Sequence, residues 1–208
     1  MTRFLLLALI TAVACGAAPR IVYTKDFPGS VPAWVAITVE HSGETVYKEE
    51  VNDPYPIKFK LRGDETAELF RLAGKLDKFT RPLESNLNVA KMGIKTFRFE
   101  DGSNASEQKF NYSLDEDAKS LADWFEKITE SEQHMIRLER TVKYDRLGVN
   151  DALLRLQVTL ERKRLTGAEQ FLPLLDRVIK NDSYLHMARE RASQIADAIR
   201  TPQAAKPE

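Results

Sequence analysis

The spacing of apolar residues changes period partway along this 208-residue chain, and that change limits the fold more than any other feature. Early on, apolar residues alternate. Val35, Ile37 and Val39 share one face, and Trp34, Ala36 and Thr38 the other. That is the two-residue period of a half-buried strand. Residues 21–25, 33–40, 45–51, 57–61, 92–99 and 108–112 read as strands. Ser42-Gly43 marks one hairpin turn. Asp101-Gly102 opens another connection, and 103–107 predicts a loop longer than two residues. Phe97, Phe99, Phe110 and Tyr112 are expected on one core face.

Helical spacing enters between the strands and then takes over. Asp64 is expected to cap a helix carrying Leu69, Phe70, Leu72, Ala73 and Leu76. Ser113 and Asp115 precede a second helix with Leu121, Trp124, Phe125 and Ile128. The two hairpin-plus-helix stretches echo each other as a weak repeat, with chance similarity as the alternative. Residues 77–91 form a connector that is long for a compact domain, and so either functional or loosely packed. Beyond Gln133 every stripe is helical. Leu147-Gly148 is a stop and Asn150 a new cap. Thr166 and Glu169 have capping-box spacing, and Pro173 interrupts that helix unless it starts later. The expected fold is α+β. An antiparallel sheet from two hairpin-plus-helix units with covering helices (19–130) is followed by an antiparallel helical module (131–200) and a disordered tail (201–208).

Composition removes many functions. Thirty-one basic and 31 acidic side chains cancel, so there is no electrostatic case for a general nucleic-acid binder. One cysteine excludes an internal disulfide and a multi-cysteine zinc or iron–sulfur site. No G-x-S-x-G elbow, HExxH, EF-hand loop, P-loop or dinucleotide glycine motif occurs. Ser30 reads as a loop serine. Glu130 and His134 share a helical face as half of a metal site, but lack further ligands, so no metal or cofactor is expected. His41 and His186 read as surface or packing residues. Asp64-Glu65 and Asp115-Glu116-Asp117 sit where helix starts favour negative charge. Arg162-Lys163-Arg164 is a short basic run at a helix end, with lipid headgroups as a weaker reading. The Asn104, Asn111 and Asn181 glycosylation triplets read as coincidental beside a bacterial-type leader. Trp34 is the binding candidate. If helices cover the apolar face, it stands on the open side of the sheet. Cover by the 77–91 connector or the helical module is the alternative.

The first residues address the chain. Arg3 and then the apolar run FLLLALI, followed by small residues, form a secretory signal peptide (1–18), too short for a membrane span. Ala12-Val13-Ala14 before Cys15-Gly16 resembles a bacterial lipobox, with Ala12 where Leu is usual. That resemblance implies cleavage before Cys15, lipidation of Cys15 and membrane association through the lipid. Ordinary cleavage to a soluble secreted or extracellular form is the alternative.

FPGSVPAWVAITVEHSGETVY, IKFKLRGDETAELFRLAGKLDKF and FNYSLDEDAKSLADWFEKI together resemble uncharacterised secreted bacterial proteins of hairpin-plus-helix α+β build. The resemblance spans about residues 20–130, and the helical tail looks like companions of the same group. It implies export and an α+β domain, and it carries no catalytic residue over. The expected function is an exported, periplasmic or envelope-anchored protein that is not an enzyme and binds a protein partner or an envelope component. An envelope hydrolase whose carboxylates converge only in the fold is the alternative.

Overall fold

The computed structural model describes residues 18–201. The leader, Cys15 included, and the tail after Thr201 lie outside the described residues. Six strands form one antiparallel sheet: β1 (Arg20–Asp26), β2 (Trp34–Glu40), β3 (Glu44–Lys48), β4 (Ile57–Lys60), β5 (Ile94–Asp101) and β6 (Asn104–Phe110). Their spatial order is β4-β3-β2-β1-β5-β6. Alternation sorts the two faces. Ile21, Tyr23, Val35, Ile37, Val39, Tyr47, Phe97 and Phe99 are buried on one. On the other, Val22, Thr24, Ala36, Thr38, Val46 and Thr96 are half-buried and no strand residue is fully covered. This is the usual one-sided antiparallel sheet, with helices on the apolar side.

Two helices cover that side, α1 (Gly63–Lys75) and α2 (Glu116–Tyr144). Leu69, Leu72 and Ala73 of α1 and Leu121, Phe125 and Ile128 of α2 complete the sheet core. Tyr23 stacks on Phe125 with centroids 4.5 Å apart. Asp115 caps α2 by accepting the Asp117 and Ala118 N–H groups. Asp64 does not cap α1. It lies in the first turn, and Glu65 reaches back instead to accept the Arg62 N–H at 2.9 Å.

α2 runs for 29 residues without a break. The boundary expected at 130/131 falls inside it. Ile128 is its last fully buried residue in the sheet core, with the half-buried Ile136 still packed against it, and Met135 is its first in a second core. That second core is built with α3 (Val149–Glu161), α4 (Leu172–Lys180) and α5 (His186–Arg200). Pro173 occupies the first turn of α4, where its missing N–H costs nothing, so the helix starts late rather than kinking. Thr166 forms no capping box. Its N–H donates to Ser131 Oγ at 2.9 Å, which ties the α3–α4 connection to α2.

Two loop expectations change. Asp101 pairs with Asn104, so β5 and β6 join through only Gly102-Ser103, and the polar residues 104–107 belong to β6. The 77–91 connector is packed in its first half. Asp77, Lys78 and Phe79 are all left-handed, with φ of 51°, 51° and 63°. Such turns are unfavourable by about 1–2 kcal/mol per residue. Full burial of Phe79 against Phe97, centroids 5.2 Å apart, offsets that strain.

Gly167 marks where the helical module meets the edge strand β4. Its φ is +54°, and a Cβ there would lie 2.8 Å from the Phe59 ring. Gly167→Ala is therefore expected to destabilise the protein by about 1–2 kcal/mol in urea titration. Gly63→Ala, with no atom in the way and an ordinary φ, is expected to be neutral or slightly stabilising.

Candidate functional site

Strand direction gathers the loops into two groups. The 41–43 and 102–103 turns and the start of β1 lie at one end of the sheet. The connections 27–33, 49–56 and 111–115 lie at the other, joined by the second half of the 76–93 connection, whose first residues stay over β5 and β6, where Lys78 pairs with Asp101 at 3.5 Å. Among the described residues, eight of the 13 exposed large hydrophobic side chains fall at this second end. Val31 is 91% exposed in the β1–β2 loop, and Val51 and Tyr55 project from the β3–β4 loop. Leu87, Val89, Met92 and Ile94 follow in and just after the second half of the long connector, with Leu114 ahead of α2. The 41–43 and 102–103 turns carry none. Patches of this kind mark interaction surfaces.

Trp34 belongs to this end. It is the first residue of β2, half-buried, on the uncovered face. Its cross-strand partner on β1 is Asp26, whose partner on β5 is Ile94. Trp34, Asp26 and Ile94 thus form one row across three strands, on the same face by register.

Side-chain hydrogen bonds set the loops. Asn111 clips the long connector, accepting the Met92 N–H at 2.8 Å and donating to the Ala90 carbonyl at 3.0 Å. Glu84 holds the other side, accepting the Asn111 N–H at 2.6 Å and the Ser85 N–H at 2.8 Å. The Asn111 N–H, then those of Ser85, keep the Glu84 carboxyl below the usual carboxylate range. Gly93, at φ +86°, lies so close to Phe27 that a Cβ would meet it at 2.6 Å. Ser30 Oγ lies within hydrogen-bond distance of the Phe27 and Pro32 carbonyls, so it builds the β1–β2 loop.

Behind the loops lies a charged inner wall. Lys25 and Lys95 face each other across β1 and β5. Lys25 pairs with Glu126 at 2.7 Å, and Lys95 donates to the Asn111 carbonyl at 3.1 Å. Burial, then Lys25, holds the Lys95 ammonium below its ordinary value. Burial, then Glu126, pushes the neighbouring Tyr23 phenol well up. These groups fix the base of the surface, since each has a partner.

The remaining candidates sit elsewhere. Glu130 and His134 do share a face of α2, bridged by Thr159, whose Oγ1 donates to Glu130 at 3.2 Å and lies 2.9 Å from His134 Nε2. Arg164 takes the other Glu130 oxygen at 2.7 Å and Asp123 at 3.0 Å. Arg164 is thus held by carboxylates, while Arg162 and Lys163 are exposed. Burial lowers the His134 pKa. No group of three or more His, Cys, Asp or Glu placed for a metal occurs among the described residues. His41 is exposed, its ring edge-on to Phe70 with centroids 4.8 Å apart, and His186 is exposed beside Glu190. No helix among the described residues is long and apolar enough to cross a membrane. Asp64 is held by Arg62, and Glu161 accepts from Gln157 at 3.0 Å.

Two features escaped the reading of periodicity. The apolar loop residues gave a signal, since Leu87, Val89 and Met92 lie in a segment with no period to bury them. Glu132 gave one too, as an acid filling a position in the apolar stripe of α2.

Asn111→Ala is expected to free the connector while leaving the core intact. Tryptic cleavage after Lys91 should rise on the order of tenfold, with a loss of at most about 1–2 kcal/mol in global stability. Glu84 adds a pH dependence. Its pKa is depressed on folding, so its contribution is present above the ordinary glutamate value and is lost as pH falls through the folded one. Amide protection of 85–93 is expected to drop below about pH 4, and less so in Glu84→Gln. Comparison with family models, curated proteins and solved structures found no match, so this surface is interpreted from its own chemistry.

Proposed function

We propose that this is an exported, non-enzymatic binding protein of the cell envelope that holds a protein partner at the loop end of its sheet. The observation behind the proposal is the gathering of eight exposed large apolar side chains at that one end. Leu87 and Met92 are 52% and 59% exposed, so burying the rest of each is worth roughly half of the 1.5–3 kcal/mol of a full side chain, and several must be covered together to offset the cost of association. The clipped loops hold these groups in place beforehand, which lowers the ordering cost of association.

Orientation supports a protein partner over the anchoring membrane. The leader joins β1 at Arg20, while β1 reaches the loop end at Asp26. Seven strand residues span about 20 Å. With a lipid on Cys15, only five residues before Arg20, the loop end would face away from the membrane surface.

A photo-crosslinking residue placed in the full chain in its native cells tests this. Adducts of one shared mass are expected from positions 92 and 31, and none from Leu147, an exposed apolar residue at the α2–α3 turn. Leu87→Asp should abolish them. Equal adduct yield from position 147, or none from the loop end, would overturn the proposal.

A further inference from the structure

Glu132 lies fully buried halfway along α2, at 0% exposure, in the seam between the two cores. It enters no ion pair among the described residues. Oε1 accepts from Gln170 Nε2 at 2.7 Å, and Oε2 has no partner. An ionised carboxylate placed so loses its hydration and regains one hydrogen bond.

The groups around it offer no compensating charge. Glu139 follows on α2 itself, and from β3 come the Tyr47 hydroxyl and Glu49, which bond to each other at 2.8 Å. The start of α1 brings Arg62 and Glu65, already engaged together. The 165–171 connection brings Gln170 and an exposed Glu169. In α4, Asp176 is held by Arg200, and Arg177 and Lys180 lie near the far end.

Gln170 belongs to a segment that packs Leu165, Ala168 and Phe171 into the helical core but has few polar ties to the body. Thr166 is held by Ser131, and the Gly167 N–H donates to Glu65 at 3.2 Å. The same segment separates two open clefts. One, of about 690 Å³, is lined by Phe59, Leu61, Arg62 and Gln170. The other, of about 850 Å³, is lined by Leu160, Leu165, Ala168 and Ile195. Arg62 and Glu169 line both.

We propose that Glu132 is a proton-operated latch: protonated, it keeps residues 165–171 closed on α2, and on ionising it favours a state in which the segment lifts and water enters between the two clefts. Burial, with Glu139 adding and Gln170 opposing, pushes its carboxyl up to about 7. The direction follows from linkage. The closed state binds the proton more tightly than an open one in which Glu132 meets water, so raising the pH drives opening between the ordinary glutamate value and about 7. Above that the effect levels off.

Hydrogen exchange on the full chain, corrected for the intrinsic pH dependence of exchange, tests the latch. Protection of amides 165–171 is expected to fall about tenfold per pH unit from about pH 5 to 7 and then to flatten. In Glu132→Gln the same amides should show no such slope, and in Gln170→Leu the levelling-off should move to higher pH. Carboxyl-carbon NMR of Glu132 in the unmodified chain gives a second readout independent of any variant, with an expected midpoint well above that of an exposed glutamate. A flat wild-type profile, a slope that survives Glu132→Gln, or an ordinary glutamate midpoint would each overturn the latch.

Discussion

One helix has to bury its apolar stripe twice. At 1.5 Å per residue, the 29 residues of α2 extend about 44 Å, farther than one small core can cover. Leu121, Phe125 and Ile128 are spent on the sheet, and Met135, Leu138 and Val142 on the helical module. The unbroken backbone ladder joins the two cores, so their seam must fall on helical residues. Those residues are Ser131 and Glu132, both fully buried. Ser131 is satisfied by the Lys127 carbonyl and by Thr166. The seam is therefore held by hydrogen bonds where the cores are held by apolar contact. Each such bond is worth only about 1 kcal/mol net, but a buried polar group left unsatisfied costs more.

The loop end reverses that arrangement. There the polar groups are internal fasteners and the apolar groups face out. Glu84, Asn111 and Ser30 direct their hydrogen bonds into the loops themselves, while Val31, Leu87 and Met92 are exposed. Loops usually cover their backbone with polar side chains and water. This end instead has a shape fixed from within and an outer surface that water solvates poorly.

Much of the architecture was legible because it rests on periodicity. The Val35-Ile37-Val39 alternation placed β2, and the spacing of Leu121, Phe125 and Ile128 placed the first half of α2. The failures have local causes. Strand β6 begins with Asn-Ala-Ser-Glu, which carries no apolar signal because an edge strand facing solvent needs none. Asp64 looked like a cap, but Glu65 three residues past the extended Arg62 could reach the free N–H, and spacing alone does not choose between them. The spacing of Met135, Leu138 and Val142 continues the α2 stripe into the helical module, but the polar run Ser131-Glu132-Gln133 interrupts the stripe without interrupting the helix, so the expected boundary falls inside it. Trp34 was placed on its face by alternation alone. The exposed apolar residues at the same end of the sheet come from loops whose placement is set by strand direction, a property no local window contains.

Glu132 and the exposed loop residues share a physical character, since each contradicts a local rule that the surrounding structure obeys. Such contradictions concentrate where a protein does more than fold. An apolar residue at the Glu132 position would continue the stripe from Ile128 to Met135 and remove an orphaned oxygen, and polar residues at 87, 89 and 92 would suit an exposed connector. Neither departure is needed to build the sheet or the helical module. The two also differ in kind. The loop end is held in one arrangement by the Asn111 clip and the Glu84 bonds, which suits recognition because little order remains to be imposed on binding. The seam holds a group whose two protonation states favour different degrees of hydration, which suits a response to pH. A fixed surface and a titratable seam can coexist in one chain because they occupy different parts of α2's surroundings: the first lies by Glu126 and the strands it crosses, the second where the helix passes the edge strand β4.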